Sequence, residues 1–453
     1  MKENIKYYDL NLSQEVVQLQ CKYTIFKRII NILTSISTTD YIDFNIMKDA
    51  FNKVIQRNDC LRIKFIKKDG KLMQFFAEEN NFDNIPIIEF KTERDQKKFI
   101  NKLKKKPIKY LKGKVIEPYF IKTYDNKNMI FLKVCHYVLD IYGINIIFKD
   151  LYEVYNALKN STELPAPPSK FEDVLQKDLI RKNDEKFIER NQEYFDNLLE
   201  NIEQADYAGI HGNSSKIWQK QKKKHKHTMK MFFINNKTKG YRHKINKDLV
   251  KKITDYCKAN GYSPANFLFY TCSICASKTN GNIKNMFPLE LCNCRGTALE
   301  KNCAGTKVQS IACYTTVEKN KTFKENFDIF SINQAKNYRH VGFSDQKFQM
   351  MLHKRLKSSF LETYYSITFS FIPYTKPENY EFLIYSNERC ALPAYLALLY
   401  DTNSGDIVMA YDCQTKIITE NDVDIFHKNY VNLLNQIVEN PNIKIADLKI
   451  KNS

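Results

Sequence analysis

The sequence predicts an α/β protein built as two sandwich-like domains, and three observations carry that prediction. At 453 residues the chain is too long for one compact core and suits two domains of ordinary size. Helix-like and strand-like patterns are mixed in both halves and not sorted into separate regions. Between the halves lies Leu164-Pro165-Ala166-Pro167-Pro168, where prolines stop helices and stiffen the path. The expected division is therefore 1–163, a linker at 164–170, and 171–453.

Taken in order, residues 12–35 read as a helix. Residues 40–56 read as a second, with Phe44, Met47, Phe51 and Val54 on one face and Asp43 near its start. The chain then passes through Arg57 to Phe65 into a hairpin around Lys68-Asp69-Gly70-Lys71. A basic helix is expected over 92–105. Paired strands follow at 119–123 and 129–135, about the turn Asp125-Asn126-Lys127. After the prolines, one long polar helix is expected over 171–203 and a loop over 205–226. Helices are expected at 247–259 and at 264–279, the second with Ser263 as cap and Pro264 at its first position. Strands and loops fill 286–317, helices 323–338 and 347–356, and strands 364–372, 381–385 and 406–411. The last helix, 420–439, starts after Thr419 and stops before Pro441.

The stretch with the strongest chemical character is Met129 to Gly143. An apolar strand ends at His136, Asp140 lies four residues on, and Gly143 opens an amphipathic helix whose Ile144, Ile147, Leu151, Val154 and Leu158 recur at helical spacing. Of 8 histidines, only His136 has an acid at the fourth following position. On this segment alone, a core histidine held by backbone groups explains the pattern as well as a catalytic one. Cys135 and His136 are strand neighbours and point to opposite faces, which argues against a thiol–imidazole pair.

Composition narrows the function classes. The 43% hydrophobic and 13% aromatic content supports a folded chain. The first residues lack the apolar core of a signal peptide, and no apolar run approaches the ~18 residues of a membrane span, so a cytoplasmic protein without membrane partner is expected. The 12 cysteines sit singly in apolar strings, which reads as structural thiols in a reducing compartment, not as a disulfide framework or metal site. Cys272 and Cys275 have redox spacing but lie in an apolar helix. His225 and His227 lie in a lysine-rich run and read as solvated loop histidines. A net charge of +20 favours an acidic partner. Nucleic acid rests on that charge alone, because neither basic run, 102–114 or 220–230, has interleaved aromatics or a known nucleic-acid module.

Several segments stand together in a fixed order: Arg57-Asn58-Asp59-Cys60-Leu61-Arg62-Ile63-Lys64-Phe65, then Cys135-His136-Tyr137-Val138-Leu139-Asp140-Ile141, then Arg295 after the strand ending near Cys292, then Gly305 to Gln309. With the helix after the linker and the closing segment 411–448, they resemble, end to end, the condensation domains of nonribosomal peptide synthetases, in the chloramphenicol acetyltransferase-like superfamily. The family's motifs read Arg-His-Glu-x-Leu-Arg-x-x-Phe, His-His-x-x-x-Asp-Gly and Gly-x-x-x-Asn. Here Cys135 replaces the first histidine, Ile141 the glycine, and Gln309 the asparagine.

The resemblance implies two chloramphenicol-acetyltransferase-like subdomains in a V-shaped pseudo-dimer with a central tunnel and His136 midway along it. It implies a freestanding condensation-type acyltransferase that joins a thioester-bound acyl or aminoacyl donor to an amine. The donor rides on the 4'-phosphopantetheine arm of an acidic carrier protein acting in trans, or on CoA, and no cofactor or metal is bound. His136 would be the base or orienting group. Asp140 and Arg295 would form a buried supporting pair, and Cys135 a buried structural thiol. Ile141, Tyr142, Gly143, Gly305 and Gln309 would line the tunnel or the oxyanion side. Ile141 keeps the backbone N–H expected at the oxyanion but adds β-branched bulk where positive φ would be strained, and Gly143 is expected to restore room. An alcohol acceptor, giving an ester, would use His136 equally. The alternative from another class is a catalytically inactive module that docks carrier proteins.

Overall fold

The computed structural model describes residues 5–22, 24–232, 234 and 236–451. The mixed α/β character expected from the sequence is present in both compact units, and neither unit is continuous in the chain. Residues 1–184, 293–308 and 374–387 form the first, and 185–292, 309–373 and 388–453 the second.

The first unit is built on a five-stranded sheet in the order Tyr380–Tyr385, Asn31–Thr38, Asn128–Cys135, Ile116–Lys122, Ile87–Glu89. All its pairings are antiparallel except the last, which is parallel. Alternation along the central strand sorts the two faces. Ile130, Leu132 and Val134 join the core beneath helices Phe44–Arg57 and Ile141–Lys159, while Met129 and Phe131 pack with Ile100 and Leu103 of helix Glu93–Lys105. Asp43 and Thr92 cap two of these helices through their side chains.

The expected helix over 12–35 is corrected: a helix covers Leu12–Lys22, and Asn31–Thr38 is a strand. Every residue of that strand is buried. A strand covered on both faces shows no alternation of burial, and its polar residues Asn31, Thr34, Ser35, Ser37 and Thr38 leave neither a period of two nor an apolar run to mark it.

The proline stretch is tied down by the Arg57–Phe65 motif. Arg57 pairs with Asp150 at 2.9 Å and donates to the carbonyls of Pro165 and Ala166 at 2.9 and 3.0 Å. Two residues on, the Asp59 carboxylate accepts from the amides of Phe171 and Glu172 at 2.7 and 2.9 Å. Both ends of the stretch are thus held by one short segment, and helix Phe171–Lys182 buries Val174 and Leu175 in the first unit. The expected 171–203 helix breaks after Lys182 and restarts at Glu185. The compact units divide at that break instead of at 164–170.

The second unit holds a sheet in the order Val308–Ala312, Asn285–Asn293, Tyr365–Tyr374, Ala394–Asp401, Ile407–Gln414, Thr238–Ile245, with Thr315–Thr316 also paired to Asn285–Asn293. Helices Lys247–Asn260, Pro264–Thr279, Phe323–Arg339 and Glu420–Glu439 share one large apolar core with it, and Glu185–Glu200 and Asp345–Arg355 share another. Ser263, Thr322 and Thr419 cap three of these helices. Two strands of this sheet were not read from the sequence. Ala394–Asp401 is a short apolar run inside the sheet, and Thr238–Ile245 is an edge strand whose lysines and arginine hide its period. The expected 205–226 loop contains a short helix, Lys216–Lys222, which buries Trp218. No helix among the described residues is long and apolar enough to cross a membrane.

Candidate active site

The site is assembled where the central strand of the first unit runs out. The amide of Cys135 donates to Val115 O and that of His136 to Ile30 O, both at 2.8 Å, so the strand stays paired on both sides up to the histidine. The chain then turns, with Val138 N on Cys135 O at 3.0 Å, and Asp140 caps helix Ile141–Lys159 by accepting from Gly143 N at 2.7 Å. Local sequence explains the turn: the apolar strand ends at a polar residue, and an aspartate three residues before a glycine starts the helix.

Asp140 is saturated. Arg295 grips it with two nitrogens at 2.9 and 3.0 Å, and the Lys307 amide adds a bond of 2.7 Å. Burial pushes the Asp140 carboxyl up, but the Arg295 guanidinium and the amides of Lys307 and Gly143 outweigh it and hold it below the usual carboxylate range. Arg295 is itself fully buried and donates to the carbonyls of Cys303 and Gly305 and to Asn293. Its guanidinium lies 4.7 Å from the centre of the Tyr142 ring. The pair therefore staples residues 293–307 to the turn after His136. Asp140 has no capacity left to orient the imidazole.

Two glycines make that staple possible. A Cβ on Gly143 would stand 1.7 Å from the Ala304 carbonyl oxygen, and one on Gly305 would stand 1.9 Å from the Phe171 ring. Leu139 and Gly305 are bridged as in a sheet. The space at Gly143 is filled by backbone, which corrects the expectation that it gives room to substrate. Ile141 is the first residue of the helix, lies outside the positive-φ residues, and packs against the core. The expected strain of isoleucine at this position is therefore absent, because an ordinary helical conformation is all the backbone asks there.

His136 differs from its neighbours. Its Nδ1 is sealed from solvent, and no group stands at hydrogen-bonding geometry to it. Burial lowers the imidazole below the ordinary histidine value, against weaker opposing pulls from the backbone of His136 and Leu139 and from the Asp140 charge. A neutral ring at neutral pH follows. Cys135 is wholly buried, and burial pushes its thiol up, so it is no nucleophile. Gln309 belongs to the second unit, unlike the rest of the set.

Sequence reasoning missed two residues here. Lys307 is buried and pairs through its ammonium with Asp178 and, at 3.0 Å, with Glu300, while its amide holds Asp140. Asn145, one turn into the helix, has its amide nitrogen buried without a partner. Neither carried a signal in one dimension, since an isolated lysine or asparagine has no diagnostic spacing. His225 and His227, by contrast, are paired with Glu362 and Asp206 at 2.6 and 2.5 Å.

The chain that carries this staple behind a strand-end histidine belongs to the condensation-domain family. The family model for the condensation domain matches residues 4–453. Among individual proteins, the chain is 19% identical over 437 residues to a plipastatin synthase component of Bacillus subtilis (strain 168), covering 94% of this chain and 16% of that protein. It is 26% identical over 162 residues to bacitracin synthase 1 of Bacillus licheniformis, covering 34% of this chain and 3% of that protein. The chain thus spans under a fifth of the length of these relatives. Its fold is similar to the starter condensation domain of rhizomide synthetase, solved with C8-CoA and Leu-SNAC, at a TM-score of 0.81 and 13% identity over 98% of each chain. It is equally similar, at 0.81 and 13% identity, to the condensation domain of the monacolin K polyketide synthase, over 98% of this chain and 99% of that one.

Proposed function

We propose that this chain transfers an acyl or aminoacyl group from a thioester to an amine, with His136 as the base or orienting group. The observation that carries this reading is the state of His136. Its Nδ1 is buried and unpartnered, at a strand end whose following turn is held by the Asp140–Arg295 pair, and burial lowers its pKa, which favours the neutral ring. With the ring proton on Nδ1, Nε2 offers a lone pair to the attacking amine. The amine nitrogen bonds to the thioester carbonyl carbon and passes a proton to His136. The C–S bond then breaks, and the thiolate leaves with that proton as a thiol. Asn145, with its idle amide, is a donor suited to a substrate carbonyl. The donor arm is the 4'-phosphopantetheine of an acidic carrier protein, or CoA, as the +20 charge favours. An alcohol acceptor would be activated in the same way, giving an ester.

The test is acyl transfer read by mass spectrometry. Acyl-pantetheine or acylated holo-carrier donors are offered with a pooled panel of amines and alcohols, to the native protein and to His136→Ala. A product made only by the native protein is expected, and its mass assigns amide or ester. Carrier binding that survives in both proteins with no product from either would refute the reading in favour of a docking module.

A further inference from the structure

The Asp140–Arg295 staple holds the turn after His136 at its far end, four residues from the histidine. A second restraint acts one residue away. The Tyr137 carbonyl accepts from the side-chain amide of Gln14, on helix Leu12–Lys22, at 2.9 Å. The His136 amide is already bonded to Ile30 O, so the histidine backbone is held on its strand side by one bond and on its turn side by the other.

Gln14 belongs to a closed network within the first unit. It is fully buried, as is Gln74 on strand Lys71–Phe76. The two side-chain amides exchange hydrogen bonds at 2.8 and 2.7 Å. The Asn11 amide donates to Gln14 Oε1 at 3.0 Å, and Gln74 Nε2 donates to Asp9 O at 2.9 Å. A glutamine amide offers two N–H donors and an oxygen with two lone pairs, and at Gln14 all of them are used. Its orientation is set by the backbone: a carbonyl only accepts and a main-chain N–H only donates, so the nitrogen faces Tyr137 and the oxygen faces Asn11. Gln74 is anchored in turn, because it exchanges backbone bonds with Tyr8 at 2.8 and 2.9 Å.

Filling this space does not require amides. Two apolar side chains of similar size would do so without needing partners and at little cost in stability. What a saturated polar network adds is direction, a bond of fixed length and angle to one chosen carbonyl. The residue chosen is Tyr137, whose ring packs on those of Phe65 and Tyr110 at 5.4 and 5.1 Å between centres. Backbone and side chain of the residue after His136 are thus both tied down.

We infer that Gln14 is a positioning residue for acyl transfer: through the Tyr137 carbonyl it sets the direction of the His136 ring. The inference rests on the acyl-transfer reading above. A displacement of about 1 Å at a reacting group can cost ~100-fold in rate, and no substrate contact is removed with Gln14. Its loss therefore falls on kcat and spares KM.

The experiment compares the native protein with Gln14→Met, Gln14→Glu and Asn52→Leu. Asn52 is the control, a first-unit side-chain amide with two bonds to the Phe82 backbone, at 3.2 and 2.9 Å. Three readouts are taken: kcat and KM with acyl-pantetheine and an amine, urea unfolding, and the NMR signals of ring-labelled histidine. The His136 signal is assigned by its absence in His136→Ala. Gln14→Met is expected to lose kcat by about ten- to a hundredfold with KM within about twofold of native, and to shift or broaden the His136 signal. Asn52→Leu should alter neither, whatever stability it loses. Gln14→Glu donates to Tyr137 O only as the protonated acid, so its kcat relative to native should fall as pH rises through that carboxyl's titration. A His136 signal and a kcat equal to native in Gln14→Met overturn the inference, as does an equal loss of kcat in Asn52→Leu. Should Gln14→Met fail to fold, a flat ratio of Gln14→Glu to native across pH overturns it instead. If the native protein makes no product, the acyl-transfer reading falls, and the His136 signal of the Gln14 variants still decides whether Gln14 directs the ring.

Discussion

Arg295→Ala tests the staple most directly. In the native protein Asp140 accepts four hydrogen bonds, two from the guanidinium and one each from the amides of Gly143 and Lys307. The substitution removes both charge-assisted bonds and leaves a carboxylate buried with two neutral donors. It also strips the carbonyls of Cys303 and Gly305 of their side-chain donor. Breaking a buried pair from one side costs about 3–5 kcal/mol, and the stranded carbonyls place this case toward the upper end. Asp140→Asn/Arg295→Met removes both charges together, so the double-mutant cycle should show a coupling of about 2–3 kcal/mol. The single tryptophan, Trp218, lies in the second unit and would miss the event. Hydrogen exchange at the Gly143 and Lys307 amides, with far-UV circular dichroism during urea unfolding, reports it instead. Because the folded carboxyl lies below its ordinary value, its stabilising contribution is complete above the unfolded pKa and disappears as pH falls through the folded one. Arg295→Ala should therefore raise the pH of acid unfolding. A cost below about 1 kcal/mol with no coupling would refute the reasoning.

Four further outcomes follow from the same geometry. Gly143→Ala must displace the Ala304 carbonyl, which a Cβ would approach to 1.7 Å; a loss of about 1–3 kcal/mol in urea unfolding is expected, with activity falling alongside. Asn145→Leu removes a buried donor that has no partner, so it should leave stability unchanged or raise it by about 1 kcal/mol while lowering kcat/KM. Glu290 is buried against Tyr338 and Gln334, and burial raises its pKa to about 7; its stabilising contribution is complete below the unfolded value and is lost as pH rises to about 7, so Glu290→Gln should stabilise the protein at pH 8 by up to about 3 kcal/mol and little at pH 4. Since His136 is lowered by burial, the acid limb of the activity profile should fall below the ordinary histidine value, which a pH series of initial rates measures.

What the sequence disclosed follows a physical division. Capped helices were legible to within a residue or two, as with Ser263–Pro264 and Thr419, because caps are local chemistry. Strands were legible where an apolar run met a turn signal, as in Asn128–Cys135 after the turn at 125–127. Asn31–Thr38, covered on both faces, looked like helix, and Thr238–Ile245, charged at a sheet edge, looked like loop. At the site, His136 and Asp140 stood out through spacing, and the pairing of Asp140 with Arg295 came from the order of motifs. Lys307 and the crossing of Ala304 over Gly143 did not, because each depends on a contact between residues more than 150 positions apart.

That separation has a consequence for how the molecule is made. Arg295 follows Asp140 by 155 residues, and at ~5–20 residues per second synthesis needs roughly 8–30 s to cover that distance. Throughout that interval the emerging first unit holds an aspartate with no counterion and lacks its edge strand Tyr380–Tyr385, which is made later still. The first unit therefore cannot complete its staple or its sheet until most of the second unit has been translated, and a truncation at residue 184 would lack both Arg295 and the edge strand.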